Sequence, residues 1–161
     1  MSSQGDVVNV VIAGLGGQGV IKASDILADV AFRAGLDAKK SELHGMSQRG
    51  GSVSSDVRFG QKVWSPMVPA GSADYLVVLS PDQVEITRHI LRPDGVLISV
   101  EMIDVSKLAS PRSANVALLG TLSRHLDFAE ELWAASIRSA LASKLHEMNL
   151  AAFQLGRAGE R

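Results

Sequence analysis

Residues 7–19 read VVNVVIAGLGGQG, and residues 20–34 continue as VIKASDILADVAFRA. The opening of the first stretch is rich in β-branched side chains, which is typical of a strand buried on both faces. Beyond Gly19 the apolar residues recur at helical spacing, at Val20, Ala23, Leu27, Val30 and Ala34. The pattern predicts a strand over 7–13 and a helix over 17–34, joined by the first turn of an α/β fold. The open backbone of such a turn, with the helix N-terminus behind it, suits an anion and often a phosphate.

The rest of the chain continues this alternation of strands and helices. Further strands are predicted at 38–43, 52–59, 75–79 and 96–100, and further helices at 81–92, 115–126 and 130–148, with a short helix or tail at 149–156. Residues 60–62 read GQK and predict a turn that pairs 52–59 with 63–65 as a β-hairpin. We therefore expect a three-layer α/β/α sandwich, Rossmann-like, whose mixed sheet is mostly parallel, formed by residues 1–161 as a single domain.

Composition excludes several classes of function. Sixteen Lys and Arg against 17 Asp and Glu give a net charge of -1, which does not suggest a nucleic-acid partner. The chain has no cysteine, so it cannot form disulfides, ligate an iron–sulfur cluster or use a thiol nucleophile. No apolar run approaches the ~20 residues that span a bilayer, and the start of the chain has no secretory pattern. We expect a cytoplasmic protein without a membrane or nucleic-acid partner.

The glycine turn at residues 14–19 contains the G-x-G-x-x-G spacing of dinucleotide sites. Such a site also needs an acidic residue about 20 positions further on, at the end of the second strand. That position holds Lys39 and Lys40, and Glu42 comes a few residues late. Three interpretations remain open: a stand-alone protein that binds NAD(P) or FAD, a turn with a purely structural role, and a site for another phosphate-bearing ligand.

A second candidate region is the glycine-containing loop that follows the second predicted strand. Its candidate residues are His44, Ser47, Gln48, Arg49, Gly50 and Gly51. The guanidinium of Arg49 is suited to bidentate binding of a phosphate or carboxylate, or it forms a salt bridge with Glu42 or Asp56. His44 is either an acid or base near neutral pH or a structural and subunit-contact residue.

The motifs GLGGQG at 14–19 and SELHGMSQRGGS at 41–52 together resemble the gamma subunit or domain of the 2-oxoacid:ferredoxin oxidoreductases. His44, Gly45 and Met46 resemble the indolepyruvate branch in particular. Further matching positions are Asp74, Tyr75, Asn115, Gly120, Asn149, Phe153 and Gly156. The chain is shorter than we expect for the indolepyruvate branch.

The resemblance implies a subunit of an enzyme that oxidatively decarboxylates a 2-oxoacid, of pyruvate or indolepyruvate type, to an acyl-CoA. By this resemblance, partner subunits hold thiamine diphosphate, magnesium and [4Fe–4S] clusters. Coenzyme A is a co-substrate, and ferredoxin accepts the electrons. We expect this chain to bind none of these cofactors alone and to contribute no catalytic residue. Gly14, Gly16, Gly17, Gln18 and Gly19 would face coenzyme A or a partner chain. Trp64 and Met67 are candidates for subunit contact, and a homodimer is expected to be possible in isolation.

Overall fold

The computed structural model describes residues 6–44 and 51–159, which form one five-stranded sheet covered by helices. The strands are β1 (Val8–Leu15), β2 (Asp37–His44), β3 (Ser52–Gly60), β4 (Ala73–Val78) and β5 (Leu91–Ser99). Their spatial order is β2-β3-β1-β4-β5. β3 runs antiparallel to both of its neighbours, whereas β1, β4 and β5 are parallel to one another. The mixed α/β fold expected from the sequence is confirmed.

Among the described residues, five helices connect or follow these strands. They are α1 (Val20–Arg33), α2 (Val84–Thr87), α3 (Ala114–Ser123), α4 (Glu130–Ala140) and α5 (His146–Ala158). Single 3-10 turns flank α2, so that residues 81–90 form one compact segment between β4 and β5. Three more 3-10 turns lie between β5 and α3.

Alternate residues of β1 separate the core into two parts. Val10 and Ile12 pack with the residues of α1, α3, α4 and α5 on what we call the first face of the sheet. Val11 and Ala13 point to the second face, where Val84 of α2 and the adjacent strands cover them. All four β1 side chains are buried, as the unbroken apolar run predicts. The two helical layers are therefore unequal, with four helices on the first face and the 81–90 segment on the second.

The predicted hairpin between 52–59 and 63–65 is wrong. β3 already uses both of its edges, pairing with β1 on one side and β2 on the other, and a strand has no third edge to offer. Residues 61–72 instead form an irregular loop across the second face. The loop is fixed there because Val63 N donates to Asp37 Oδ2 at 2.8 Å and Val68 N donates to Asp56 Oδ2 at 2.9 Å.

Two further boundaries differ from the prediction. The turn expected at 93–95 lies inside β5, where Ala73 pairs with Leu91 but Tyr75 pairs with Val96, so residues 92–95 bulge out of the ladder. The single helix expected over 130–148 is broken, because Leu141 is extended, with φ -123° and ψ 151°. The chain then turns into α5, which packs against α3.

α3 and α5 cross with their backbones in direct contact at two glycines. A Cβ atom placed on Gly120 would lie 2.0 Å from the Phe153 carbonyl oxygen, and one placed on Gly156 would lie 1.7 Å from the Ala117 carbonyl oxygen. Thr121 Oγ1 also donates to the Gly156 carbonyl at 3.1 Å. Only glycine allows this close approach at both positions, so the helix pair depends on these two residues.

The two ends of the described chain lie at the same edge of the sheet, where β1 and β4 begin. The Asp6 carbonyl approaches Gly60, the last residue of the antiparallel β3. At the other end, Arg124 Nη1 donates to the Gly159 carbonyl at 2.7 Å, just beyond α3. The neighbouring His125 carbonyl accepts from the hydroxyl of Tyr75, a residue early in β4. We call this the amino edge, and the opposite side, where β1 and β4 end, the carboxyl edge.

Candidate functional site

A crevice is expected at the carboxyl edge between β1 and β4. The chain leaves β1 into α1 on the first face, whereas it leaves β4 into the 81–90 segment on the second face. Where two adjacent parallel strands send their connections to opposite faces, the fold opens a crevice that commonly holds the ligand of an α/β protein. The glycine turn follows β1 on one side of this position, and the 81–90 segment follows β4 on the other.

The glycine turn is shaped by backbone conformation and by Gln18. Gly17 and Gly19 have φ of 89° and 84°, in the left-handed region that glycine adopts without a Cβ penalty. The side-chain Oε1 of Gln18 accepts from Leu15 N at 2.7 Å, so Gln18 closes the turn on itself. A Cβ on Gly14 would lie 2.8 Å from that same oxygen. The oxygen of Gln18 is therefore committed to the turn, and only its amide nitrogen is left to donate outward.

The N-terminus of α1 follows this turn, and no side chain of the helix caps its first backbone N–H groups. Gly19 is the N-cap and provides no side-chain cap, and no acidic residue lies in the first turn. The first N–H groups of a helix lack partners within the helix and carry a partial positive charge. These N–H groups are suited to a negatively charged group, and the first turn of α1 itself contains no carboxylate that would compete for them.

Ser52 and Gln83 brace the turn from the second face. Gly16 N donates to the Gly51 carbonyl at 2.9 Å, and Ser52 Oγ donates to Gln83 Oε1 at 2.9 Å. Gln83 is only 5% exposed, and its contact joins the 81–90 segment to the start of β3. Sequence reasoning missed this residue. Its position three residues after Ser80 suggests only a helix-capping pattern, and the real partner is 31 residues away.

Asn115 braces the same turn from the first face. It is the second residue of α3 and is 6% exposed. Its side-chain Nδ2 donates to the Gly19 carbonyl at 3.1 Å, and its Oδ1 accepts from Val116 N at 2.9 Å. The sequence singles out Asn115 only as a matching position, without a role.

The loop after β2 begins and ends at the carboxyl edge. His44 pairs with Val53, which pairs in turn with Gly14, so the His44 backbone lies two strand spacings, about 10 Å, from the glycine turn. Gly51 closes the loop with its bond to Gly16. The structure thus places the backbone of His44 at the same edge of the sheet as the glycine turn and the backbone of Gly51 in contact with the turn. Ser47, Gln48, Arg49 and Gly50 lie outside the described residues.

The lysines that replace the expected acidic residue are paired elsewhere. Lys40 contacts Asp25 of α1 and donates to Glu42 at 2.8 Å, and Lys39 donates to Asp37 at 3.3 Å. Burial alone would lower the pKa of Lys40, but the hydrogen bonds and charges of its two carboxylates outweigh it and raise that pKa. β3 also separates β2 from β1, whereas a dinucleotide site places the second strand directly beside the first. Neither the lysines nor the strand order supports a ribose or phosphate site of that kind.

Asp56, one of the two alternative partners considered for Arg49, faces the second side of the sheet. It is half-buried, and burial raises its pKa, although the hydrogen bond from Val68 and the charge of Arg58 act in the opposite direction. The other alternative partner, Glu42, is paired with Lys40 on the first face.

Within residues 6–44 and 51–159, no group of three or more His, Asp or Glu residues is placed to hold a metal ion. Across the same residues, no helix combines the length and the apolar composition needed to cross a membrane.

Comparison with known proteins identifies the family. Residues 9–101 match the family described as pyruvate ferredoxin/flavodoxin oxidoreductase. The chain is 35% identical over 190 aligned positions to indolepyruvate oxidoreductase subunit IorB of Thermococcus kodakarensis, covering 92% of this chain and 93% of the relative. Those aligned positions outnumber the 161 residues of this chain, so the relative carries segments that this chain lacks.

Two solved structures share the fold. The gamma subunit of a keto/oxoacid ferredoxin oxidoreductase from Geobacter sulfurreducens superposes with a TM-score of 0.70 at 24% identity, over 92% of this chain and 95% of that one. A 2-oxoglutarate:ferredoxin oxidoreductase from Magnetococcus marinus, with 2-oxoglutarate, coenzyme A and succinyl-CoA bound, superposes with a TM-score of 0.80 at 21% identity. That match covers 96% of this chain but 31% of the longer one. The chain belongs to the pyruvate ferredoxin/flavodoxin oxidoreductase family, as a gamma-type subunit of a 2-oxoacid:ferredoxin oxidoreductase.

Proposed function

We propose that residues 1–161 act as a single gamma-type domain that completes a cytoplasmic 2-oxoacid:ferredoxin oxidoreductase without performing the chemistry itself. Partner subunits hold thiamine diphosphate, magnesium and [4Fe–4S] clusters, convert the 2-oxoacid to an acyl-CoA, and pass electrons to ferredoxin. Full-length similarity to IorB and the absence of any cysteine support this division of labour. The single observation that carries the proposal is the N-terminus of α1 at the carboxyl edge, which has no side-chain cap and offers backbone N–H donors to an anion.

We assign to the glycine turn the binding of coenzyme A in that reaction. Coenzyme A carries several phosphate charges, and the uncapped N-terminus of α1 is suited to a phosphate. Gly14, Gly16, Gly17 and Gly19 allow a close approach, and the amide nitrogen of Gln18 adds a donor. The assignment extends to the candidate residues of the segment between β2 and β3, with Arg49 as the phosphate-binding cation: His44, Ser47, Gln48, Arg49, Gly50 and Gly51. Contact of this edge with a partner chain is the alternative outcome.

We assign the substrate to the indolepyruvate branch within the 2-oxoacids. Residues 44–46 and the 35% identity to an indolepyruvate oxidoreductase subunit support that choice. Pyruvate is the alternative substrate. Activity of the assembled enzyme on each acid separates the two.

The function is tested by reconstitution. The chain is purified alone, the thiamine- and cluster-bearing subunit is purified alone, and each is assayed for reduction of ferredoxin or viologen with a 2-oxoacid and coenzyme A. We expect no turnover and no bound thiamine diphosphate for this chain alone, and full activity only on mixing. Turnover by the isolated chain, or equal activity of the partner with and without it, would contradict the proposal.

The site assignment is tested with Arg49→Ala in the reconstituted enzyme. We expect the KM for coenzyme A to rise about ten-fold or more, because a charged hydrogen bond is lost. Arg138→Ala is the matched control, since Arg138 is an exposed residue of α4 and we expect its loss to leave the KM unchanged. Identical KM values for both variants would leave the loop with a structural or partner-contact role.

A further inference from the structure

Two helices start at the same point of the carboxyl edge, and one side chain joins them. α1 begins immediately after Gly19, and Asn115 lies in the first turn of α3. The Asn115 amide nitrogen donates to the Gly19 carbonyl across 96 residues of sequence. The same carbonyl accepts from Ala23 N at 3.0 Å, the first intrahelical bond of α1. The Gly19 carbonyl is thus held both by its own helix and by α3.

The other half of the Asn115 amide is also committed. Its Oδ1 accepts from Val116 N at 2.9 Å, in the first turn of α3, where backbone N–H groups lack intrahelical partners. With both ends bonded and only 6% of the residue exposed, the side chain has one orientation available. A buried amide is otherwise unfavourable within a helix, so its presence requires partners of this kind.

Gly19 and Asn115 are sterically matched. A Cβ on Gly19 would lie 2.4 Å from Asn115 Nδ2, and the φ of 84° at Gly19 already disfavours any other residue. The absence of a side chain at 19 is therefore what allows the amide to reach the carbonyl. The contact holds the peptide group between Gly19 and Val20, where α1 and its first unpaired N–H groups begin.

We propose that Asn115 is the positioning residue of the carboxyl-edge site: it orients the glycine turn for the anionic end of coenzyme A without touching the ligand. This rests on the proposed function of the turn. The amide holds Gly19 from the first face, opposite the brace that Ser52 and Gln83 provide on the second. Without the Asn115 amide the glycine turn is free to rotate, so the N–H groups at the start of α1 no longer converge on the anionic end of coenzyme A.

The test is Asn115→Asp in the reconstituted enzyme. This isosteric change replaces the N–H donor by a carboxylate oxygen 3.1 Å from the Gly19 carbonyl, turning an attraction into a repulsion. We expect the KM for coenzyme A to rise about ten-fold or more. The KM for the 2-oxoacid should stay within about two-fold, because that acid binds on the partner subunits. Asn115→Ser, which removes the donor without adding charge, should give a smaller rise in the same direction.

Asn149→Asp is the matched control. Asn149 is 5% exposed and lies in the first turn of α5, and its amide donates to the Leu145 carbonyl at 2.9 Å, within its own helix start. We expect it to lower the melting temperature about as much as Asn115→Asp, without a change in the KM for coenzyme A. Equal KM values for the two variants at comparable melting temperature would overturn the positioning role.

Failure of the proposed function and failure of the inference about Asn115 give different results. If the wild-type chain does not restore coenzyme A-dependent turnover to its partner, the proposed function fails before any variant is compared. If the wild type does so and Asn115→Asp retains its KM for coenzyme A, the proposed function stands and the inference about Asn115 is wrong.

Discussion

The crossing of α3 and α5 predicts an unusual response to Gly120→Ala. In an exposed helix interior this change stabilises a protein, because alanine is favoured over glycine by roughly 0.5–1 kcal/mol. Here the new Cβ would lie 2.0 Å from the Phe153 carbonyl oxygen and 2.9 Å from Arg157 N. Both contacts are with backbone, so no flexible side chain can move aside. The two helices must separate, or the substituted one must bend.

The steric cost outweighs the propensity gain. Overpacking a tight core by one methyl group typically costs about 1–3 kcal/mol, and a contact with rigid backbone lies at the upper end of that range. After subtracting the propensity gain, we expect a net loss of about 2 kcal/mol. For a chain of this length such a loss lowers the melting temperature by roughly 4–8 °C. Gly156→Ala should behave alike, because its Cβ would lie 1.7 Å from the Ala117 carbonyl oxygen.

The assay is thermal and urea unfolding of the full chain, followed by circular dichroism. Gly35→Ala is the control, because Gly35 has φ 88° but no atom within 4 Å of the place its methyl group would take, so it measures the cost of the left-handed backbone alone. The double variant at 120 and 156 should lose less than the sum of the single losses, since one separation of the helices relieves both contacts. An unchanged or raised melting temperature for Gly120→Ala would refute this account of the helix pair.

Three further outcomes follow from other contacts. Burial raises the pKa of Asp56 above its unfolded value, so its charge costs stability at neutral pH and the cost disappears as pH falls through the folded-state pKa. We therefore expect Asp56→Asn to melt higher at pH 7 and to lose that advantage below pH about 4; a constant difference across pH would contradict this. Lys40→Met should change the melting temperature by no more than about 3 °C, because partly exposed ion pairs contribute about 1 kcal/mol or less. If the reconstituted variant enzyme lost its dependence on coenzyme A, the purely structural role of Lys40 would be wrong. Trp64 is 85% exposed, so Trp64→Ser should weaken association with the partner subunit without lowering the melting temperature, and unchanged association in a binding titration would remove Trp64 from the interface.

Local patterns predict the parts of the fold that depend on local physics. The β-branched run of β1, the glycine turn and the helix after it agree with the structure because burial, turn conformation and helical spacing act over a few residues. The helix is expected from residue 17 and begins at Val20, because the turn takes up residues 16–19. The hairpin at 60–65 is wrong because it depends on which edges of β3 are free, and those are taken by strands distant in sequence. The break after Ala140 carries no local signal, since residues 141–145 contain neither glycine nor proline. Packing of α5 on α3 prevails there over local helix propensity.

The candidate site divides in the same way. Gly17 and Gly19 can be recognised from the sequence because a strand–turn–helix pattern is local. Gln83 and Asn115 cannot be assigned in this way, because their roles arise from hydrogen bonds to residues 31 and 96 positions away. Any polar residue at a helix start has the same local appearance as these two. Only the hydrogen bonds of the folded chain show that Gln83 reaches Ser52 beside the turn and that Asn115 reaches Gly19 within it.

The placement of Asp6 and Gly159 at the amino edge has a consequence for how the fold can be joined to other polypeptides. A tag, a fluorescent protein or another domain linked there would extend away from the crevice, on the far side of the sheet. The fold can therefore be joined to another polypeptide at the amino edge without changing its carboxyl edge. In the Magnetococcus marinus structure, the matching fold occupies 31% of a longer chain. Covalent fusion of a partner subunit at the amino edge is consequently a practical way to hold this chain and its partner at a defined stoichiometry.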